Sequence, residues 1–181
     1  GLPAANRVYD GTTAATLTGT ASLTGVLGSD TVSVSGTASA MFADKNVGAA
    51  KSVQVSGLSL SGADAGNYSV GGLSATADIT AKALTLAYTA SNKVYDATTA
   101  ATVSGSSSDV IGSDVVTFSQ SAAFADKNVG TGKTVNVTGI SLSGTDGGNY
   151  SLQSSTAIST ANITPRLLTI SGLTVNSKPY D

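Results

Sequence analysis

The sequence predicts an all-β protein, read as two tandem immunoglobulin-like β-sandwich modules in an elongated arrangement. β-grasp-like modules with one short helix at Ser61–Gly66 are the alternative. Three observations lead there. Apolar residues alternate with polar ones instead of recurring at helical spacing. Ser and Thr make up 52 of the 181 residues, usage that suits half-exposed strands better than helices. A ten-residue stretch ending in Asn-Tyr-Ser occurs twice, at Leu60–Ser69 and Leu142–Ser151. Its core is Asp64-Ala65-Gly66-Asn67-Tyr68 in one copy and Asp146-Gly147-Gly148-Asn149-Tyr150 in the other. The pattern fits the tyrosine corner of immunoglobulin-like sandwiches, at the E–F turn, where a buried Tyr returns its hydroxyl to upstream backbone. In this reading Gly66 and Gly148 supply the unusual turn geometry, and Asp64 and Asp146 close the turn onto nearby amides.

Along the chain, Val32 and Val34 begin an alternation that Ala38, Ala40 and Phe42 continue. Asp44-Lys45-Asn46-Val47-Gly48 reads as a turn. Val53 and Val55 then share one parity, and Leu58 and Leu60 the other. The flip across Ser56-Gly57 predicts a bulge, since a one-residue slip would turn one pair outward. The second copy repeats the flip, with Val135 and Val137 before Gly139 and Ile140 and Leu142 after it. Beyond the corner, Leu73, Ala75, Ala77 and Ile79 outline another strand. The junctions Ile79–Tyr88 and Ile163–Ile170 lack the composition of a flexible tether.

Repetition sets the expected domains. Arg7–Thr16 returns as Lys93–Thr102, and Phe42–Gly48 returns unchanged as Phe124–Gly130. Ser177–Asp181 opens a third copy. The expected boundaries are 1–82 and 83–165 for two modules, with 166–181 starting a third; whether 83–90 belongs to the first or the second is left open by the sequence. The chain reads as a piece of something longer, since Gly1-Leu2-Pro3-Ala4 is no signal peptide.

Composition narrows function. With no Cys and no His, thiolate and imidazole metal sites and Ser–His–Asp or Cys–His catalysis are out of reach. The expectation is therefore no enzyme and no cofactor. All eleven acidic residues are Asp, which raises calcium as the one candidate ion, but no Asp-x-Asp-x-Asp-Gly loop is present. A net charge of −2 disfavours nucleic acid, and no apolar run is long enough to span a membrane.

The repeated Tyr-Asp-Gly, Phe-Ala-Asp-Lys-Asn-Val-Gly and Asp-x-Gly-Asn-Tyr blocks resemble the YDG-type repeats of large bacterial surface adhesins. Such repeats occur in filamentous-haemagglutinin-like proteins exported by two-partner secretion. The resemblance covers nearly the whole chain; copy two departs from it at Ala97, which replaces the Gly of the name motif, and copy three at Pro179. It implies an extracellular, cell-surface segment serving cell adhesion or biofilm formation. The expected function is a structural stalk or spacer that projects an adhesive region. The alternative is that the modules themselves bind glycan, matrix or a neighbouring cell. The expected partners are neighbouring repeats and host or matrix molecules, with nucleic acid excluded.

Two further groups draw attention. Tyr9-Asp10 and Tyr95-Asp96 read as a Tyr packed at a module end with Asp capping the following Thr-Thr turn, against a ligand-surface reading. Asp44-Lys45-Asn46 and Asp126-Lys127-Asn128 read as solvated turns, against an intramolecular Lys–Asn isopeptide bond. Asn67, Asn136, Asn149 and Asn162 each begin an Asn-x-Ser/Thr sequon.

Overall fold

The computed structural model describes residues 2–180. Gly1 and Asp181, the last residue of the expected third copy, lie outside the described residues. The protein is all-β with almost no helix and with curled sheets. In chain order the strands are β1 (Arg7–Val8), β2 (Ser33–Phe42), β3 (Gly48–Ser61), β4 (Leu73–Thr80), β5 (Lys82–Leu84) and β6 (Ala87–Ala90). There follow β7 (Lys93–Val94), β8 (Val103–Ser106), β9 (Thr117–Phe124), β10 (Gly130–Ser143), β11 (Tyr150–Leu152) and β12 (Ala157–Thr164). The only helical turns among the described residues are single 310 turns at Ala65–Asn67 and Gly147–Asn149.

The chain forms two compact units that cut across the repeats. The first comprises Gly1–Thr85 with Ser107–Ser119 and Ser141–Gln153; the second comprises Leu86–Ser106, Gln120–Ile140 and Ser154–Asp181. The corner of the second repeat is therefore packed with the first repeat.

In the first unit a four-stranded sheet runs β1-β4-β3-β2. β2 and β3 pair antiparallel, with Val34 opposite Leu60 and Phe42 opposite Val53. β3 and β4 pair antiparallel, with Val53 opposite Ala75, and β1 lies parallel to β4, Arg7 opposite Ile79. Phe42, Val53, Ala77 and Ile79 are buried, as the alternation requires. The parity flip falls on a register shift between Gly36 and Ser39, opposite Gly57. Gly36 and Gly57 have φ of 90° and 82°, and a Cβ on either would collide with backbone carbonyl oxygen of the facing strand. Both positions are thereby restricted to glycine. A second, two-stranded parallel sheet joins β11 to β5.

The second unit holds a sheet of order β7-β12-β10-β9 and the antiparallel pair β6–β8. Its core is Phe124, Val135, Ala161 and Ile163, against which Ala90, Tyr95, Ala101, Val103 and Ala122 pack.

The corner departs from the expectation in position. Tyr68 lies between β3 and β4, neighbouring antiparallel strands of one sheet, whereas an E–F corner joins strands of opposite sheets. The unusual turn geometry expected at Gly66 and Gly148 occurs instead at Gly62 (φ 116°) and Gly144 (φ 99°), because a 310 turn needs only right-handed φ.

Candidate functional site

Titratable side chains converge at one place in the first unit, around Asp114. Tyr9 follows β1, where its amide donates to Thr80 O at 2.8 Å and its ring is buried. Lys45 comes from the turn between β2 and β3. Asp114, Asp146 and Tyr150 come from the two stretches of the second repeat that belong to this unit. The Tyr9 and Tyr150 hydroxyls each donate to Asp114 Oδ2 at 2.7 Å. Their rings meet edge to face, with centroids 5.4 Å apart and planes at 76°. Lys45 Nζ lies 2.9 Å from Asp114 Oδ1 and 3.2 Å from Asp146 Oδ1, with the Tyr9 ring 5.8 Å away. Asn149, buried, accepts the Val47 amide at 3.0 Å and donates to Asn46 Oδ1 at 3.2 Å.

The protonation states follow from these bonds. Burial and the Asp114 hydrogen bond push the Tyr150 phenol up to about 12 and raise Tyr9 as well. Burial pulls the Asp114 carboxyl upward, but donors from Tyr150, Tyr9 and Lys45 together outweigh it and hold the group below the ordinary carboxylate value. Lys45 is raised, chiefly by its hydrogen bond to Asp114. Two neutral phenols, a carboxylate and an ammonium thus saturate one another. Lys45 is an ion-pair partner of two carboxylates, and not the solvated turn residue expected. A protonated amine is no nucleophile, and Lys45 faces Asp carboxylates while Asn46 faces Asn149, so nothing positions an isopeptide bond between Lys45 and Asn46.

Each corner tyrosine returns its hydroxyl to upstream backbone. The Leu27 amide donates to Tyr68 Oη at 3.0 Å and the Ile111 amide to Tyr150 Oη at 2.9 Å. Tyr68 Oη donates to Asp30 Oδ2 at 2.7 Å, the counterpart of Asp114. Asp64 and Asp146 make no cap on their own turns; they accept the amides of Thr31 at 2.8 Å and Val115 at 2.9 Å. Gly66 and Gly148 sit in open space.

At the first motif Asp10 Oδ1 accepts the Thr12 amide at 2.9 Å and Asp96 Oδ1 the Thr98 amide at 2.9 Å. Arg7 pairs with Asp10 at 3.0 Å and donates to Ala14 O and Thr12 O; Lys93 pairs with Asp96 at 2.9 Å and donates to Thr98 O and Ala100 O. The hydrogen bond from Lys93 and the Thr98 amide hold Asp96 down to about 2. Tyr95, the counterpart of Tyr9, is half-buried beside the second core.

Sequence reasoning missed Asp30, Asp114, Lys45 and Asn149 as members of this network. The signal for the two carboxylates was present, since Leu27-Gly28-Ser29-Asp30 returns as Ile111-Gly112-Ser113-Asp114. Among the described residues no group of three or more Asp could hold a metal ion, and no helix is long and apolar enough to cross a membrane.

A family model described as the YDG domain matches residues 1–77 and again residues 80–157. No curated protein and no solved structure matches the chain. The family match corrects the adhesin resemblance. The YDG domain name is linked to DNA and methylcytosine binding, and it names no adhesin. The assignment to filamentous-haemagglutinin-like repeats of two-partner secretion, the stalk or spacer role, and the alternative of glycan, matrix or cell binding do not stand. Nor does the exclusion of nucleic acid, which rested on net charge alone. Charge measures how strongly phosphates are attracted, and base or shape contacts are not counted in it.

Proposed function

Because the chain belongs to the YDG domain family, we propose that its modules are non-catalytic recognition domains acting by surface contact, with nucleic acid as the first partner class to test. One observation carries the non-catalytic reading. Where ionisable groups converge, around Asp114, each is already bound to another, so no free acid, base or nucleophile faces a substrate. For each module the immunoglobulin-like sandwich remains the proposed fold type. It is supported by the antiparallel β2–β3–β4 sheet and its parallel edge strand β1.

Electrostatics sets the character of any nucleic-acid contact. Arg7, Lys45, Lys51, Lys93 and Lys133 are in ion pairs within the chain, while Lys82, Lys127 and Arg166 have none among the described residues. Three cations without an ion pair among the described residues correspond to a shallow log–log salt slope of about −3. Recognition would then depend on base and shape contacts more than on phosphates. Fluorescence anisotropy with two labelled duplexes, one bearing 5-methylcytosine and one unmodified, tests the reading across a salt series. It predicts weak saturable binding, a preference between the duplexes and a shallow slope. No saturable signal from either duplex removes nucleic acid as the partner.

A further inference from the structure

The first unit contains a filled seat, and the second unit contains the same seat empty. In the first unit, β11 lies parallel to β5, with Tyr150 opposite Lys82 and Leu152 opposite Leu84. The corner that brings β11 also carries Asp114 and Asp146 onto Lys45, and it leaves Leu84 only 1% exposed. In the second repeat the positions matching Tyr9, Asn46, Val47, Lys82 and Leu84 are Tyr95, Asn128, Val129, Arg166 and Leu168. These five, with Pro165, line an open groove of about 410 Å³. Leu168 is 82% exposed, and Lys127, the counterpart of Lys45, is exposed with no ion pair among the described residues.

The complementary half is also present and unused. The corner of the first repeat has the shape of the one that fills the seat, with Tyr68 bonded to Asp30 and Leu27 as Tyr150 is to Asp114 and Ile111. Asp30 and Asp64 pair with no cation among the described residues, whereas Asp114 and Asp146 hold Lys45. Tyr68–Val70 forms no strand, Val70 is 43% exposed, and Leu27 is 71% exposed.

We propose that the groove of one molecule takes the Tyr68-bearing corner of a second copy of this chain. Residues 68–70 add as a parallel strand beside 166–168. Leu168 is covered as Leu84 is, Lys127 sits between Asp30 and Asp64, and Tyr95 meets Tyr68 edge to face. Groove and corner are different surfaces, so each contact is heterologous, the groove of one copy against the corner of another. Charge complementarity and the filled seat within the same chain select this occupant over an unrelated peptide.

Sedimentation velocity of the full chain over a concentration series, with Leu168→Asp and Val70→Asp variants, tests the proposal. Both side chains are exposed, and circular dichroism confirms that each variant keeps its sheet content. Wild type is expected to self-associate as concentration rises, and each variant alone to stay monomeric. An equimolar mixture of the two is expected to give a heterodimer and nothing larger, because the Leu168→Asp corner still fits the Val70→Asp groove. A wild type that stays monomeric at millimolar concentration, association that survives either variant, or a mixture that does not pair would overturn the proposal. None of these outcomes depends on nucleic-acid binding, so failure here is distinguishable from failure of the recognition reading.

Discussion

Tyr9 and Tyr150 meet edge to face, and their hydroxyls end on the same carboxylate oxygen, Asp114 Oδ2. One tyrosine belongs to the opening motif of the first repeat and the other to the corner of the second. This shared acceptor makes the first compact unit a composite of both repeats.

The acceptor itself gives the first prediction. Asp114→Ala leaves two largely buried phenols without their partner, and its own side chain is only 7% exposed. The expected loss is roughly 3 kcal/mol, summed over two hydrogen bonds to a charged group. Urea unfolding at neutral pH measures it.

The two corner tyrosines should respond unequally to loss of the hydroxyl. Tyr150→Phe strips the part-buried Ile111 amide of its acceptor and should cost about 1–3 kcal/mol. Tyr68→Phe removes an equivalent bond at a half-exposed site, where water replaces it, and should cost less. Thermal unfolding of the two variants side by side gives the comparison.

Alkaline and acid limits follow from the same cluster. The Tyr150 and Tyr9 phenols titrate higher in the fold than their ordinary value of 10.0. Their contribution is complete below pH 10 and is lost as pH rises toward about 12. The Asp114 carboxyl titrates below its ordinary 3.8, so its contribution is present above that value and disappears as pH falls beneath it. Melting temperature against pH should therefore fall at both ends. An Asp114→Asn variant should converge on wild type at the acid end.

The departure of copy two from the Tyr-Asp-Gly motif has a measurable cost. Ala97 sits at φ 66°, where Gly11 of the first copy sits at φ 78°. Ala97→Gly should stabilise the protein by about 1 kcal/mol by removing left-handed strain. Gly11→Ala should destabilise by more than that strain alone, because the added Cβ would come 3.2 Å from Ile111 Cγ2. Chemical denaturation of both variants tests the opposite signs.

How much of this was legible in the sequence depends on range. Alternation through Val53, Ala77 and Ile79 marks buried faces because side-chain direction in a strand is a local property. The break at Ser56-Gly57 was visible for the same reason. The tie between Tyr68 and upstream backbone could be anticipated from the Asp-x-Gly-x-Tyr core. Its location between two strands of one sheet could not, because strand order is not local. The pairing of Lys45 with Asp114 and Asp146 was hidden more deeply. Lys45 and Lys127 stand in identical heptapeptides, yet one is in a saturated network and the other has no ion pair among the described residues. Repetition reveals that a motif is reused and is silent on which copy completes which.

The most direct test of the composite first unit is an aromatic nuclear Overhauser measurement on the full chain with Tyr9 and Tyr150 selectively assigned. The account predicts a cross-peak between the two rings, whose centroids lie 5.4 Å apart. It also predicts loss of that cross-peak when Asp114 is replaced by Ala. A folded protein in which Tyr9 and Tyr150 show no mutual cross-peak would contradict it.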